Sequence, residues 1–219
     1  STRCVLDWNI SAVTDGNYFL IANIKLSTDG NTDERSDGNF LIDNTKPSTS
    51  WDGNASTWQT TDANVHLTCT DGSGSGCSTT RYRVDSDTSS TVSYGAWTAY
   101  TAAAGIVFST DGNYALDFNS TDGVSNIGDT NTFYVLLDKT VPSTTSDANS
   151  YTWQNTDANV LLTCTDANSG CASTRYRVDS DATSSISIGA WTAYSSAAGI
   201  VFSTDGNYAL DFNSTDNAG

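Results

Sequence analysis

The sequence contains five cysteines, and four of them form two closely spaced pairs. Cys69 and Cys77 bracket one short loop, and Cys164 and Cys171 bracket a second loop that is one residue shorter. Because both pairs survive this change in loop length, a disulfide within each loop is the simplest interpretation, and it implies an oxidising compartment. A zinc site competes with it, but the loops hold no further Cys or His to complete four ligands. Cys4 is left without a pair in this pattern. Its disulfide partner would lie either in its own module or in a neighbouring chain.

Acidic side chains offer a second kind of chemistry. Asp29, Asn31 and Asp33 recur at every second residue, as the first ligands of a Ca²⁺-binding loop do. However, Glu34 stands where such a loop needs its turn glycine, and Phe40 stands where it needs a bidentate glutamate. The other modules offer Asp122 and Asp216 at the same place, and the DSD hairpins offer Asp85, Asp87, Asp179 and Asp181. Solvated turn aspartates are the alternative interpretation. We therefore expect no cofactor, with calcium binding left open at this loop.

Hydrolytic chemistry lacks its usual residues. His66 is the only histidine, and a leucine, Leu161, takes its place in the second copy of the repeat described below. A catalytic histidine would be present in only one of the two copies, so a neutral surface position is the simpler interpretation and the sequence offers no repeated Ser-His-Asp arrangement. Nothing marks a pair of carboxylates for acid–base work. We therefore expect a protein that is not an enzyme.

Four Asn-x-Ser/Thr sequons are candidate sites for covalently attached glycans, and they lie at Asn9, Asn54, Asn119 and Asn213. Chance occurrence is the alternative in a chain this rich in Asn, Ser and Thr. Asn119 and Asn213 are the stronger candidates, because they occupy the same position in two copies of a predicted strand, on its outward face.

Aromatic residues in two GAWTAY segments are the remaining candidates for binding. Trp97 and Tyr100 lie in the first segment, and Trp191 and Tyr194 lie in the second. One Trp and one Tyr per copy would suffice to stack on sugar rings, although such residues more often close the end of a β-sandwich core.

A tandem repeat positions all of these residues. Residues 58–125 align with residues 153–219 with one gap, and 16 of the 67 paired positions differ. The linkers repeat as well, since FLIDNTKPS and FYVLLDKTVPS place Asp43 and Pro47 in register with Asp138 and Pro142. We therefore predict a complete module at residues 47–141, the closing strands of a partial module at 1–46, and a module without its last strand at 142–219.

Short alternating apolar runs separated by Asp, Gly and Asn predict an all-β fold. In the complete module we predict seven strands, a number typical of a β-sandwich. They are placed near residues 57–59, 65–69, 81–85, 96–100, 106–108, 113–119 and 132–137. In the strand at 113–119, alternation places Tyr114, Leu116 and Phe118 inward and Ala115, Asp117 and Asn119 outward.

The order of these motifs resembles the bacterial and archaeal Ig-like surface repeats. The residues that carry the resemblance are Trp58, VHLTCTDGSGSGC, RYRVDSD, GAWTAY, STDGNYALDFNSTD and the linker LDKTVP. The resemblance covers the whole chain and implies tandem immunoglobulin-like β-sandwich modules of about 95 residues, incomplete at both ends, in an extracellular array. The Cys pair in the loop and a longer hairpin after Asp85 depart from the family pattern.

The net charge of the chain excludes some classes of binding partner, and the tandem repeat suggests a structural function. With 9 Lys plus Arg against 25 Asp plus Glu, the formal charge of −16 argues against nucleic acid and anionic membrane surfaces. We expect a non-catalytic structural segment of an extracellular prokaryotic filament, stalk or envelope layer on the cell surface. Its partners would be copies of itself, with strand exchange completing the modules. An adhesin or carbohydrate-binding array, stabilised by calcium, is the alternative.

Overall fold

The computed structural model of the chain is all-β, which confirms the predicted fold class. It describes residues 7–25, 31–53, 57–86, 93–148, 152–180 and 189–219. The strands in these residues are β1 (Gly16–Tyr18), β2 (Ile21–Lys25), β3 (Asn31–Arg35), β4 (Phe40–Ile42), β5 (Ser48–Trp51), β6 (Trp58–Gln59), β7 (Ala63–Val65), β8 (Leu67–Thr70), β9 (Cys77–Asp85), β10 (Thr98–Ala99), β11 (Ile106–Phe108), β12 (Gly112–Asp122), β13 (Asn131–Leu137), β14 (Ser143–Ser146), β15 (Ala158–Val160), β16 (Leu162–Thr165), β17 (Cys171–Asp179), β18 (Thr192–Ala193), β19 (Ile200–Phe202) and β20 (Ala209–Asp216).

The strands pair in the same way in the two copies of the repeat. In residues 47–141, a sheet of order β10-β9-β12-β13-β6 accompanies the pairs β5-β8 and β7-β11. In residues 142–219, the sheet β18-β17-β20 accompanies the pairs β14-β16 and β15-β19. Every pairing among the described strands stays within one of the three ranges that the repeat predicts. This arrangement is consistent with a β-sandwich in each copy.

The core of residues 47–141 lies between the main sheet and the two smaller pairs. Leu116 and Phe118 on β12 have no exposed surface, and neither do Val135 and Leu137 on β13. Trp51 packs against Phe118 with 5.4 Å between ring centroids. The alternation in the sequence therefore predicted the inward residues of β12 correctly.

Ala115, Asp117 and Asn119 lie on the face of β12 opposite the core, as alternation predicts, but this face is also buried, so the expectation that they are exposed there is wrong. Their exposures are 0%, 4% and 3%. The cause lies on the neighbouring strand β9, from which Arg81 and Arg83 extend across this face. Long charged side chains can cover a sheet face with their stems, and alternation along one strand does not reveal that cover.

In residues 142–219, the equivalent core is less enclosed. Val160, Leu162 and Ile200 form its buried cluster, while Leu210 and Phe212 on β20 are half-buried. Within the described residues, β20 pairs with β17 alone, whereas β12 has β9 on one edge and β13 on the other. Among the described residues, the structure contains no helix able to cross a membrane.

Candidate functional site

The first linker, residues 43–47, joins the partial module to the module at 47–141, and hydrogen bonds hold it to both. On the upstream side, Asp15 Oδ1 accepts a bond from the Asn44 backbone N–H at 2.6 Å, and Asp15 Oδ2 accepts one from the Thr45 hydroxyl. On the downstream side, Asp43 Oδ2 accepts a bond from the Ser75 N–H at 2.6 Å. Asp43 Oδ1 also accepts one from the Thr45 N–H at 3.1 Å, which fixes the turn of the linker itself.

The linker between residues 47–141 and 142–219 repeats these contacts. Asp111 accepts bonds from the Lys139 N–H at 3.0 Å and from the Thr140 hydroxyl at 2.6 Å. Asp138 Oδ2 accepts a bond from the Ser169 N–H at 2.9 Å, and its Oδ1 accepts one from the Thr140 N–H at 3.1 Å. The chain therefore builds the same junction twice, with equivalent residues in equivalent roles.

Each junction brings three carboxylates together. The first carboxylate cluster consists of Asp43 after β4, Asp71 after β8 and Asp122 at the end of β12, and each residue has a carboxylate oxygen within 4.8 Å of the other two. Asp122 is 2% exposed and accepts bonds from the N–H groups of Val124 and Asn126 at 3.0 and 2.8 Å. These donors hold the Asp122 carboxylate at the end of its strand.

Asp71 is the central member of the first carboxylate cluster. It is 8% exposed, and its Oδ2 accepts a bond from the Gly76 N–H at 2.7 Å. Gly76 has a φ of 81°, a conformation that glycine adopts more easily than other residues. The Oδ1 of Asp71 is buried and has no hydrogen-bond partner among the described residues.

Gly74 lies directly against two carboxylates of the first carboxylate cluster. A Cβ placed on Gly74 would lie 2.7 Å from Asp43 Oδ2 and 2.8 Å from Asp71 Oδ2. Real Cβ atoms do not approach oxygen so closely, so the absence of a side chain at this position lets the loop lie against the two carboxylates.

The second carboxylate cluster is the counterpart at the next junction. Asp138 after β13, Asp166 after β16 and Asp216 at the end of β20 again have a carboxylate oxygen each within 4.8 Å of the other two. Asp138 is 1% exposed and Asp216 is 8% exposed. Asp166 Oδ1 accepts a bond from the Gly170 N–H at 2.7 Å, and its Oδ2 is buried without a partner among the described residues.

Hydrogen bonds keep the linker carboxylates ionised despite the neighbouring negative charges. Bonds from Ser75 hold the pKa of Asp43 below its ordinary value. Burial acts to raise the pKa of Asp138, but bonds from Ser169 and Thr140 outweigh it, so that pKa is also lowered. Negative charges on side chains this close together repel one another, and an oxygen-lined site of this kind suits a hard cation such as Ca²⁺.

The predicted disulfides are present and close the loops that carry Asp71 and Asp166. Cys69 and Cys77 are bonded with 6.2 Å between their Cα atoms, and Cys164 and Cys171 are bonded with 6.3 Å. The loop glycine preceding the second cysteine of each pair also accepts a bond through its carbonyl, from Gly123 N–H in one copy and from Asn217 N–H in the other.

Replacing both Cys69 and Cys77 with serine is expected to destabilise the middle module, residues 47–141, by about 2–3 kcal/mol. A disulfide across a sequence separation of 8 lowers the conformational entropy of the unfolded chain by roughly that amount of free energy. Urea unfolding of the variant, compared with a Cys164/Cys171 double serine variant, measures this cost. The two variants should lose similar stability, each in its own module. No loss in either would show that the loops hold their shape without the bonds.

The four sequons lie in different environments. Asn9 is exposed, and its Oδ1 accepts a bond from the Ser11 N–H, while Asn54 lies outside the described residues. Asn119 is 3% exposed, its Oδ1 accepts a bond from Arg81 Nε at 2.9 Å and its Nδ2 donates to the Thr130 hydroxyl at 3.0 Å. The expectation that Asn119 presents its amide to solvent is therefore wrong for the folded chain. Asn213 is exposed, with its Oδ1 bonded to Arg175 Nε at 2.9 Å.

The GAWTAY aromatics do not form an exposed pair. Tyr100 packs against the core and its hydroxyl accepts a bond from the Leu67 N–H at 3.0 Å. The ring of Trp97 is half-buried beneath the guanidinium groups of Arg81 and Arg83, at 4.6 and 4.7 Å from its centroid. These residues therefore stabilise their own module by core packing and by cation–π contacts.

The second copy uses its aromatics in the same way. Tyr194 packs on the core and its hydroxyl accepts a bond from the Leu162 N–H at 3.0 Å. Trp191 is 37% exposed and lies 4.6 Å from the guanidinium carbons of both Arg175 and Arg177. The pattern that suggested sugar stacking therefore has a structural use in both copies.

The described part of the segment predicted to bind calcium is a β-strand and not a loop. Asn31 and Asp33 lie in β3, which pairs in extended conformation with β2, so the turn that this prediction required is absent there. Asp29 and Cys4 lie outside the described residues. The sequence offered Asp122 and Asp216 as candidates, but it did not predict the other cluster members, because these are far apart in sequence. The register of Asp43 with Asp138 was a signal for them.

His66 is a surface residue with a structural partner. Its Nδ1 lies 3.0 Å from Asp52 Oδ2, and its backbone N–H donates to Asp52 Oδ1 at 2.7 Å. That backbone bond is the first cause of the lowered pKa of Asp52. In the second copy, the Leu161 N–H donates to Asp147 in the same way at 2.6 Å, so the shared feature is the backbone bond and not the imidazole.

Comparison with known proteins leaves the resemblance to Ig-like surface repeats as a proposal, because no protein-family model matches the chain and no curated protein matches it.

Proposed function

We propose that this chain is a non-catalytic structural segment of an extracellular prokaryotic filament, stalk or envelope layer, built from tandem Ig-like repeats. The observation that carries the proposal is the duplicated junction. Asp15, Asp43 and Ser75 hold the first linker by the same bonds with which Asp111, Asp138 and Ser169 hold the second. A repeated and ordered connection is what an array of modules needs to place successive copies in equivalent positions.

Two further features support an extracellular array. The disulfides between Cys69 and Cys77 and between Cys164 and Cys171 fit an oxidising environment. The same arginine–tryptophan contacts recur in both copies, where Arg81 packs on Trp97 and Arg175 packs on Trp191. Repeated packing contacts of this kind fit modules that serve as rigid units.

Strand exchange between neighbouring copies is part of this proposal. In the middle module, β13 pairs with β12 from Gly112 opposite Leu137 to Phe118 opposite Asn131. Within the described residues, the equivalent edge of β20 has no such partner. The segment around β4 matches the end of β13 in sequence, as FLID matches VLLD. In the structure, β4 pairs with β1 of its own module, from Gly16 opposite Ile42 to Tyr18 opposite Phe40. We infer that in the assembly the β4 segment of one copy exchanges this pairing for β20 of the next copy, by β-strand addition.

An extension of the chain tests strand exchange. Appending the sequence of residues 126–138 after Gly219 supplies the third module, residues 142–219, with its own copy of β13. The extended chain is expected to stay monomeric in sedimentation velocity at concentrations where the natural chain associates, because its β20 edge is already covered. Its third module should also gain several kcal/mol of stability, since burying each large apolar side chain contributes roughly 1.5–3 kcal/mol.

The matched control carries the same extension with serine in place of the residues equivalent to Phe133, Val135 and Leu137, which point into the core of the middle module. This control should associate like the natural chain. A natural chain that stays monomeric at all accessible concentrations would rule out strand exchange as the means of assembly.

A further inference from the structure

The two carboxylate clusters are not explained by the linker hydrogen bonds alone. An ordered junction does not require three acidic side chains with oxygen atoms within 4.8 Å of one another, and such a group is unfavourable without a counter-charge. We propose that each cluster is a Ca²⁺ site. The ligands are Asp43, Asp71 and Asp122 at the first junction and Asp138, Asp166 and Asp216 at the second.

An unsatisfied buried oxygen in each cluster points to a bound cation. Asp71 is more than nine-tenths buried, and its Oδ1 accepts no hydrogen bond from any described residue. A buried carboxylate oxygen without a partner is costly, so native structures provide one. The equivalent residue, Asp166, likewise has one carboxylate oxygen bonded to a glycine N–H and the other buried without a partner.

The charges in the described part of the chain do not neutralise the clusters. Its lysine and arginine ion pairs are formed with aspartates outside both clusters, namely Asp62, Asp117, Asp129 and Asp211. A metal ion is therefore the counter-charge that the geometry favours over a side chain.

The ligand atoms suit Ca²⁺. Carboxylate oxygens are the ligands that hard cations prefer, and Ca²⁺ binds them at about 2.3–2.6 Å. Two ligands on opposite sides of one Ca²⁺ therefore lie about 4.6–5.2 Å apart, and oxygens within 4.8 Å of one another can all contact a single ion. The remaining coordination positions are available to backbone carbonyls and water.

The position of each site gives the ion a mechanical consequence. Asp43 belongs to the linker, whereas Asp71 and Asp122 belong to the module that follows it, so one ion ties the linker to that module. The same holds for Asp138 with Asp166 and Asp216. Stiffening of the junction by Ca²⁺ rests on the proposed array, but the binding itself does not.

Calorimetric titration of the chain with Ca²⁺ tests the binding. We expect two ions per chain, with dissociation constants of about 10⁻⁴–10⁻³ M, the range of extracellular modules. Asp71→Asn and Asp166→Asn should each reduce the stoichiometry from two to one, and the double variant should bind none. Asp129→Asn is the matched control, because it removes the same charge from an exposed residue that pairs with Lys46 outside the clusters, and it should still bind two.

Thermal unfolding separates a metal ligand from a merely structural aspartate. In EDTA, Asp71→Asn should melt at the same temperature as the natural chain or higher, because the substitution relieves repulsion among the carboxylates. With Ca²⁺ at several millimolar, the order should reverse, since only the natural chain gains stability from both ions. A purely structural role would lower the melting temperature equally in both conditions and would overturn the proposal.

The natural chain alone gives an independent test, which does not depend on the variants folding. In an NMR titration, Ca²⁺ should shift the amide resonances of residues that donate to the clusters, such as Ser75, Gly76, Ser169 and Gly170. Shifts confined to other segments, or no saturable binding up to about 10 mM, would show that the clusters are not Ca²⁺ sites. Either result would leave the filament proposal standing, because imaging tests that proposal separately.

Discussion

Phe118→Ala is expected to destabilise the middle module by about 3–5 kcal/mol. Phe118 has no exposed surface, lies on the central strand β12 of the main sheet, and packs against Trp51 within the buried core. Because strands on both edges of β12 restrict relaxation, the cavity left by the ring should collapse only partly. Hydrogen exchange detected by mass spectrometry measures the loss, using peptides from β13, whose sequence occurs once in the chain.

Phe212→Ala is the matched control, since Phe212 occupies the equivalent position on β20 but is only half-buried. Its cost should be roughly half as large, because less apolar surface is removed from contact. Peptides from β14 report on this module and should respond to Phe212→Ala but not to Phe118→Ala. Equal costs for the two substitutions would contradict the view that β20 lacks the cover that β13 gives to β12.

Arg83→Met is the second substitution with a large expected effect. Arg83 donates to Asp117 Oδ2 through Nε at 3.0 Å and through Nη2 at 2.8 Å, and the Thr132 hydroxyl donates to Oδ1 at 2.7 Å. The Asp117 side chain is only 5% exposed. Removing the guanidinium would leave a buried carboxylate without its counter-charge, at a cost of about 3–5 kcal/mol. Urea unfolding of the variant measures this loss.

Arg177→Met tests the same ion pair in the second copy. Arg177 donates to Asp211 with the same two nitrogens, but the Asp211 side chain is 43% exposed. Water can therefore solvate the carboxylate after the arginine is removed, and the cost should be about 0–1 kcal/mol. If Arg83→Met were as mild as Arg177→Met, burial of Asp117 would not govern the strength of this pair.

The repeat made much of the fold predictable. Near-identical segments predicted equivalent strands, the alternation in β12 predicted its core residues Leu116 and Phe118, and the spacing of the cysteines predicted both disulfides. These features depend on local sequence, which is why sequence reasoning reaches them.

The errors arose where a residue's environment depends on another strand. Asn119 was assigned to an exposed face because alternation along β12 does not show that Arg81 on β9 covers it. The carboxylate clusters depend on contacts between residues such as Asp43 and Asp122, which only the fold brings together. The aspartates shared by both copies include the three cluster positions among several others, so the sequence does not show which of them meet.

Negative-stain electron microscopy of the native protein tests most directly whether the chain is a structural segment of an extracellular array. Uniform thin filaments or a regular layer, with a spacing of one or a few modules, are the expected result. A non-reducing gel run alongside shows whether Cys4 links neighbouring chains, since such bands would collapse on reduction. Discrete particles with no tendency to polymerise would contradict the account and would direct the search to glycan binding.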